Sequence, residues 1–216
     1  MTRLILVRHG QSEANLQNFS AGQTDIPLTE LGRRQAQKAA DYLVANWKID
    51  RIYASDLSRA IHTAQPIADR LGLTIHTDRR LREIDTGDWA GLPSSVRDER
   101  YGELVRLSRE DFSHMRYPNG ESVTETYRRM VECITEIVEQ NDGKSVMIAS
   151  HGGALRAFTA YVLGFAEDEV GKSPSIGENA SIQIYDWNDG IWQTVLPLTT
   201  EHLKDLALTT DELSKV

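Results

Sequence analysis

Two apolar runs in this chain stop in the same way. Leu4 to Val7 ends on Arg8, His9 and Gly10, and Val146 to Ala149 ends on Ser150, His151 and Gly152. Short apolar runs closed off by polar residues and glycine read as strands buried on both faces. Strands of that kind need helices packed above and below them. In the open α/β sheets that result, ligands bind beyond the carboxyl ends of the strands. Both His-Gly pairs fall there, so residues far apart in sequence are expected to converge on one pocket.

The rest of the chain supplies the other layers. Thr29 reads as an N-cap, and "ELGRRQAQKAADYLVANW" carries apolar residues at helical spacing. "IDRIYAS" reads as a strand, followed by a helix, "RAIHTAQPIADRLG", with Asp56 or Ser58 as its cap and Pro66 as a kink or late start. "LTIHT" is a third strand, and a helix is expected near Val96 to Arg109 before a "YPNGES" turn. A helix over Glu121 to Gln140 and another over Ala154 to Leu163 flank the Ser145 to Ala149 strand. Two last strands meet at Asn188-Asp189-Gly190, a strong hairpin signal. The expected fold is a three-layer αβα sandwich. Its central sheet is mainly parallel, with an antiparallel edge and helices on both faces. The 216 residues suit one domain, spanning 1–216. A lid-like insert is expected at about 91–120, and a polar tail after about 197.

Charge and cysteine content exclude several classes. A formal net charge of −8 is unlike the basic surface of a nucleic-acid or anionic-membrane binder. Cys133 is the single cysteine, so no internal disulfide forms, and no C-x-x-C or other metal-ligand set is visible. No signal peptide or membrane-spanning run is read, which points to the cytoplasm. No cofactor is expected. A homodimer is left open.

Glycine after histidine lets backbone approach an anion, and a helix beginning at Gly152-Gly153 offers free N–H groups. A single strand-end histidine is more often structural than catalytic, and His62, His76, His114 and His202 read as ordinary helix, strand or surface residues. The combination is more specific. "RHGQSEAN", "DIPLTELGRRQA", "IYASDLSRAIHTA", "LREIDTGDWAG", "PNGES" and "SHGG" occur in order. Together they resemble the histidine phosphatase superfamily, with its phosphoglycerate-mutase-like fold, over nearly the whole chain to about Trp192.

The resemblance implies that His9 attacks phosphorus and is transiently phosphorylated. A nucleophilic imidazole must be neutral, although histidine titrates near ~6.5. Arg8 and Arg59 would disfavour its charged form, and a backbone carbonyl would fix its tautomer. The same two arginines match phosphoryl oxygens. Ser12, Asn15 and the N–H of Gly152 add neutral bonds, and His151 completes the cluster as a cation or an N–H donor. Glu83 matches the family's proton donor; burial and a nearby dianion favour its protonated form. Asp85 and Asp88 are rivals, and Arg82 braces the loop or meets the phosphate from behind the groups that touch it. Gly22, Gln23 and Thr24 match a loop beside the nucleophile. A surface pairing of Arg59 with Asp56 is the plainer alternative for that arginine. The implied reaction is metal-independent hydrolysis of a small phosphomonoester, releasing inorganic phosphate. A phosphoglycerate mutase is the alternative, and an inactive phosphate-binding scaffold a further one. Arg97, Arg100, Arg106, Arg109, Arg116 and Tyr117 lie in the insert, where they meet a second substrate anion or form a salt-bridged helix face.

Overall fold

The computed structural model describes residues 1–206. Its six strands form one sheet: β1 (Thr2–Arg8), β2 (Arg51–Ala54), β3 (Ile75–Thr77), β4 (Ser145–Ser150), β5 (Ile182–Asn188) and β6 (Ile191–Thr199), in the order β3-β2-β4-β1-β5-β6. β1 to β4 are mutually parallel, while β5 runs antiparallel to β1 and β6 antiparallel to β5. The expected mainly parallel sheet with an antiparallel edge is therefore observed. β1 and β4 are neighbours whose onward connections leave in opposite directions, and that divergence opens a crevice at their carboxyl ends.

Strand alternation divides the core into two layers. Ile5, Val7, Met147 and Ala149 face α2 (Glu30–Asn46) and α3 (Ser58–Leu71). Leu4, Leu6, Val146 and Ile148 face α5 (Val123–Glu139) and α6 (Gly152–Val162). Because the middles of β1 and β4 are covered on both faces, Leu4 to Val7 and Val146 to Ala149 are apolar at every position. Each Leu or Ile so buried is worth about 1.5–3 kcal/mol relative to exposure. A third cluster packs Trp89, Val105 and Met115 under α4 (Ser94–Glu110).

Helix starts are where local reading and structure part. Thr29 caps α2 as expected, accepting from the Gly32 N–H. α3 takes neither Asp56 nor Ser58 as its cap. Asp25, from a distant loop, accepts from both the backbone N–H and the hydroxyl of Ser58. Asp56 is occupied by Arg82, with both contacts at 2.6 Å. Pro66 lies inside α3 without ending it, since Ala60, Ala64 and Ile67 hold the helix to the sheet. α6 begins at Gly152, two residues before the expected Ala154, with His151 as its N-cap. Among the described residues no helix is long and apolar enough to cross a membrane. Of the polar tail, Leu203 and Leu206 pack on Ala180, and the expectations for 207–216 lie outside the described residues.

Candidate active site

β1 and β4 pair Arg8 with Ser150, so His9 and His151 leave the sheet side by side, with ring centroids 5.1 Å apart. The His9 ring is tied down by the next peptide: Nδ1 lies 2.7 Å from the Gly10 carbonyl oxygen. A carbonyl can only accept, so Nδ1 carries the proton and Nε2 carries the lone pair. Burial, then Arg59, then Arg8 hold the His9 pKa well below its ordinary value. The ring is a neutral imidazole with its lone pair on Nε2.

That peptide is itself held. The Gly10 N–H donates to Thr63 Oγ1 at 3.0 Å, and the same hydroxyl donates to the Arg59 carbonyl at 2.7 Å. A Cβ on Gly10 would stand 2.4 Å from the Gly32 carbonyl oxygen, and one on Gly32 would stand 2.0 Å from that of Gln11. The strand-end turn and α2 therefore touch backbone to backbone. Gln35 Oε1 accepts from the Gln11 N–H, and the Thr29 hydroxyl donates to Gln11 Oε1. The Thr29, Gly32 and Gln35 spacing in "TELGRRQ" thus puts three residues of one helix end against the residues after His9.

His151 is the opposite tautomer. Arg59 Nε donates to His151 Nδ1 at 3.2 Å; arginine has no acceptor to offer, so Nδ1 is unprotonated and Nε2 bears the hydrogen. That Nε2 is buried and has no hydrogen-bond partner among the described residues. Burial, then Arg59, His9 and Arg8, keep the ring neutral, with its pKa well below the ordinary value. Of the two forms expected for His151, the neutral N–H donor is the one present. Arg59 is 1% exposed and also donates to the Thr24 and Gly22 carbonyls at 2.8 and 2.9 Å. Burial lowers its pKa to about 10, so it stays charged at neutral pH. Arg8 donates to the Ile176 carbonyl, and a Cβ on Gly152 would lie 3.2 Å from its guanidinium carbon. Gly152 is the small residue that lets α6 start against Arg8.

Asn15 Oδ1 accepts from the Ser12 N–H, the Ser12 hydroxyl and Asn179 Nδ2, at 3.0, 2.9 and 3.1 Å. Asn179 Nδ2 also donates to the His9 carbonyl at 3.2 Å. Asn179 is 1% exposed and joins the β1 end to the short helix α1 (Glu13–Leu16).

Glu83 meets the start of α6. Its Oε1 accepts from the N–H groups of Ile84 and Ala154, both at 2.9 Å, and its Oε2 from that of Gly153 at 3.2 Å. A Cβ on Gly153 would fall 2.8 Å from Glu83 Oε1, so the second glycine of "HGG" makes room for the carboxylate. The loop behind Glu83 is clamped from α5. Arg129 donates to the carbonyls of Arg80, Arg82 and Glu83, and pairs with Glu121 at 2.7 Å. Glu121 also accepts from the Asp85 N–H. This is the structural use of the glutamate in "PNGES".

These groups border a cavity of about 160 Å³. Arg8, His9, Ser12, Asn15, Gly22, Arg59, Glu83 and Gly152 all line it. His151 lies behind them, fully buried. Gln23 and Thr24 do not line it: Gln23 donates to the Glu83 carbonyl, and Thr24 contributes its own carbonyl to Arg59. Asp85 and Asp88 are also outside the lining, accepting from the Gly87 N–H and from Asn119 Nδ2. Among the described residues, no three His, Cys, Asp or Glu side chains are grouped to hold a metal ion. A lone-pair nitrogen, two arginines and a carboxylate around one hollow, with a buried N–H donor behind them, can hold a phosphoryl group and exchange protons beside it.

The model of the histidine phosphatase superfamily (branch 1) matches residues 4–199. The chain belongs to that superfamily. A mycobacterial glucosyl-3-phosphoglycerate phosphatase, solved with VO3, matches with a TM-score of 0.84 and 31% identity, covering 92% of this chain and 99% of that one. A mutant phosphoserine phosphatase from Entamoeba histolytica, solved with phosphoserine, matches at 0.79 and 30% identity, covering 94% and 100%. Phosphoglycerate mutase-like protein 4 of Arabidopsis thaliana is 36% identical over 160 residues, 71% of this chain and 68% of that protein.

Within this histidine phosphatase fold, sequence reasoning missed Thr63, Asn179 and Arg129. Each acts on the cluster through backbone groups of residues distant in sequence. No motif marks them as site residues, although Thr63 sits inside "SRAIHTA" and Asn179 precedes the β5 strand.

Proposed function

We propose that the protein is a phosphatase that hydrolyses small phosphomonoesters through a phosphohistidine at His9. The observation that carries this reading is the His9 tautomer: Nδ1 is committed to the Gly10 carbonyl, leaving Nε2 as a lone-pair nitrogen on a ring that lines the cavity. Nε2 attacks phosphorus, a P–N bond forms, and the ester P–O bond breaks. Arg8, Arg59 and the N–H of His151 meet the phosphoryl oxygens, which gather charge as transfer proceeds. Glu83 delivers a proton to the departing alkoxide. Water then attacks the phosphohistidine, Glu83 takes the water's proton, and inorganic phosphate leaves with His9 restored. The cationic role is met by guanidinium groups, and chelating agents are expected to leave turnover unchanged.

The mutase reading is favoured by the identity to phosphoglycerate mutase-like protein 4 and to probable phosphoglycerate mutases of Yersinia. It differs only in the acceptor, a second hydroxyl instead of water. The deciding experiment mixes enzyme with labelled phosphomonoester, quenches in alkali and maps the label. Acid-labile label at residue 9 is expected, followed by free phosphate. Label elsewhere, or active enzyme that traps none, overturns the nucleophile. Rapid formation of 2-phosphoglycerate from 3-phosphoglycerate in the presence of 2,3-bisphosphoglycerate would replace phosphatase with mutase.

A further inference from the structure

The carbonyl of His9 accepts from two donors in one turn just before β5. The Ala180 N–H donates at 3.1 Å and Asn179 Nδ2 at 3.2 Å. The same turn holds the preceding residue, since the Ser181 carbonyl accepts from the Arg8 N–H at 3.0 Å. From the other side, the Ser150 carbonyl at the end of β4 accepts from the His9 N–H at 2.9 Å. The backbone of His9 is therefore gripped by two segments of different kinds. β4 is a regular strand. Ala180 has φ +56°, in the left-handed region, where its Cβ crowds the backbone and glycine is the natural occupant. A residue stays in such a conformation only where its surroundings hold it there.

Those surroundings come from the chain past β6. His202 Nε2–H donates to the Ala180 carbonyl at 3.0 Å, and the Thr200 hydroxyl donates to Glu178 Oε2 at 2.6 Å. Leu203 and Leu206 pack on Ala180 together with Leu31, and the His202 ring stacks on Tyr42; Leu31 and Tyr42 both belong to α2. Ala180 and Leu203 are fully buried. None of residues 200–206 lines the cavity. Their contacts converge instead on the residue whose backbone N–H reaches the His9 carbonyl.

We propose that Asn179 and Ala180 are positioning residues for His9, and that residues 200–206 form a strap that keeps Ala180 in the left-handed conformation this requires. The inference rests on the reading of His9 as the nucleophile. Without the strap, Ala180 relaxes to an ordinary φ and its N–H turns away from His9. A displaced nucleophile loses rate while the arginines still bind the phosphoryl group, so the loss falls on kcat and not on KM.

The test is a rescue. Thr200→Val and Leu203→Ala loosen the strap. They are expected to slow phosphohistidine formation in a single turnover by about threefold and about tenfold, with KM within about twofold of the wild type. Ala180→Gly supplies a residue that takes the left-handed φ unaided, so adding it to either variant should return at least about half of the lost rate. Asn179→Ala should also lose about tenfold, and Ala180→Gly should not restore it, because the missing donor is Asn179 itself. Rescue of the strap variants alone supports the strap. Unchanged rates in both strap variants, or the same response of strap and Asn179 variants to Ala180→Gly, overturn it. Thr200→Val removes a single hydroxyl, so it gives the answer even where Leu203→Ala does not fold. Amide hydrogen exchange of the intact protein separates this inference from the nucleophile reading. The Ala180 N–H should be protected in the wild type and lose protection when the strap is loosened. That pattern in a protein that traps no phosphohistidine would keep the strap and sink the nucleophile. A freely exchanging Ala180 amide in an active wild type would sink the strap.

Discussion

His9 and His151 sit at the ends of adjacent parallel strands, both buried and both held neutral, yet they are chemical opposites. The difference lies in what touches Nδ1. A carbonyl, that of Gly10, makes His9 a donor there and leaves Nε2 basic. A guanidinium, that of Arg59, makes His151 an acceptor there and puts the hydrogen on Nε2. Residue type alone would assign the two rings the same job. The partner at the far nitrogen decides which ring supplies electrons and which supplies a proton to a hydrogen bond.

Removing each ring gives the largest test of that contrast. His9→Ala should lose about 10⁴-fold or more in turnover and trap no phosphohistidine, because a covalent nucleophile has no substitute. His151→Ala should lose roughly 10²–10³-fold, the usual scale for one donor to developing charge, and should still accumulate label at residue 9. Equal losses with no label in either variant would erase the distinction between the rings. Nitrogen chemical shifts of the wild type offer a direct check: protonated Nδ1 for His9 and protonated Nε2 for His151 are expected, and the same tautomer in both would contradict the assignment.

A smaller effect isolates Glu83, whose carboxylate lines the same cavity as His9. Glu83→Gln should slow alkyl phosphates about 10²-fold and p-nitrophenyl phosphate less than tenfold, since that leaving group departs without a proton. Arg129→Met should follow the same pattern more weakly, because Arg129 positions Glu83 through the carbonyls of residues 80, 82 and 83. Uniform losses across leaving groups would remove the proton-donor role from Glu83, and from Arg129 its positioning role.

The contrast between the rings was only half legible in the sequence. The strands follow from apolar runs, and Arg8, His9 and His151 stand at the ends of two of them, whereas Arg59 and Glu83 are legible only through the resemblance to the family. A local pattern carries that information. The tautomer of His9 follows from a carbonyl one residue away and was expected. The tautomer of His151 depends on Arg59, brought from another strand end by the sheet order, and the sequence left cation and neutral donor open. The cap of α3 was misread for a similar reason: Asp25 lies far upstream and wins over the local Asp56, which Arg82 removes. Thr63, Asn179 and Arg129 were missed because they speak to backbone groups, and backbone partners leave no trace in residue identity.

The smallest predicted effect uses a third imidazole to separate burial from charge. His202 is also held neutral, with a pKa lowered to about 4 by burial alone, while its Nε2–H donates to the Ala180 carbonyl and its ring stacks on Tyr42. His9 and His151 add the repulsion of Arg59 and Arg8 to the same burial. In all three the folded pKa lies below the unfolded one, so the unfolded chain binds more protons as pH falls through ~6.5. Stability is therefore full above that pH and declines below it, down to each folded pKa. For His202 the window runs from ~6.5 to about 4. The slope is at most about 1.4 kcal/mol per pH unit, and less in practice because the ring keeps some contact with solvent. His202→Gln, which keeps a donor for Ala180, should flatten the acid side of a denaturation-midpoint profile while leaving the acid limb of kcat/KM where it was. That limb should itself lie below pH 6.5, since His9 stays neutral there. A midpoint profile identical to the wild type would mean that burial of His202 is relaxed in solution, whereas a shifted kinetic limb would mean that the third ring is coupled to His9 and His151 after all.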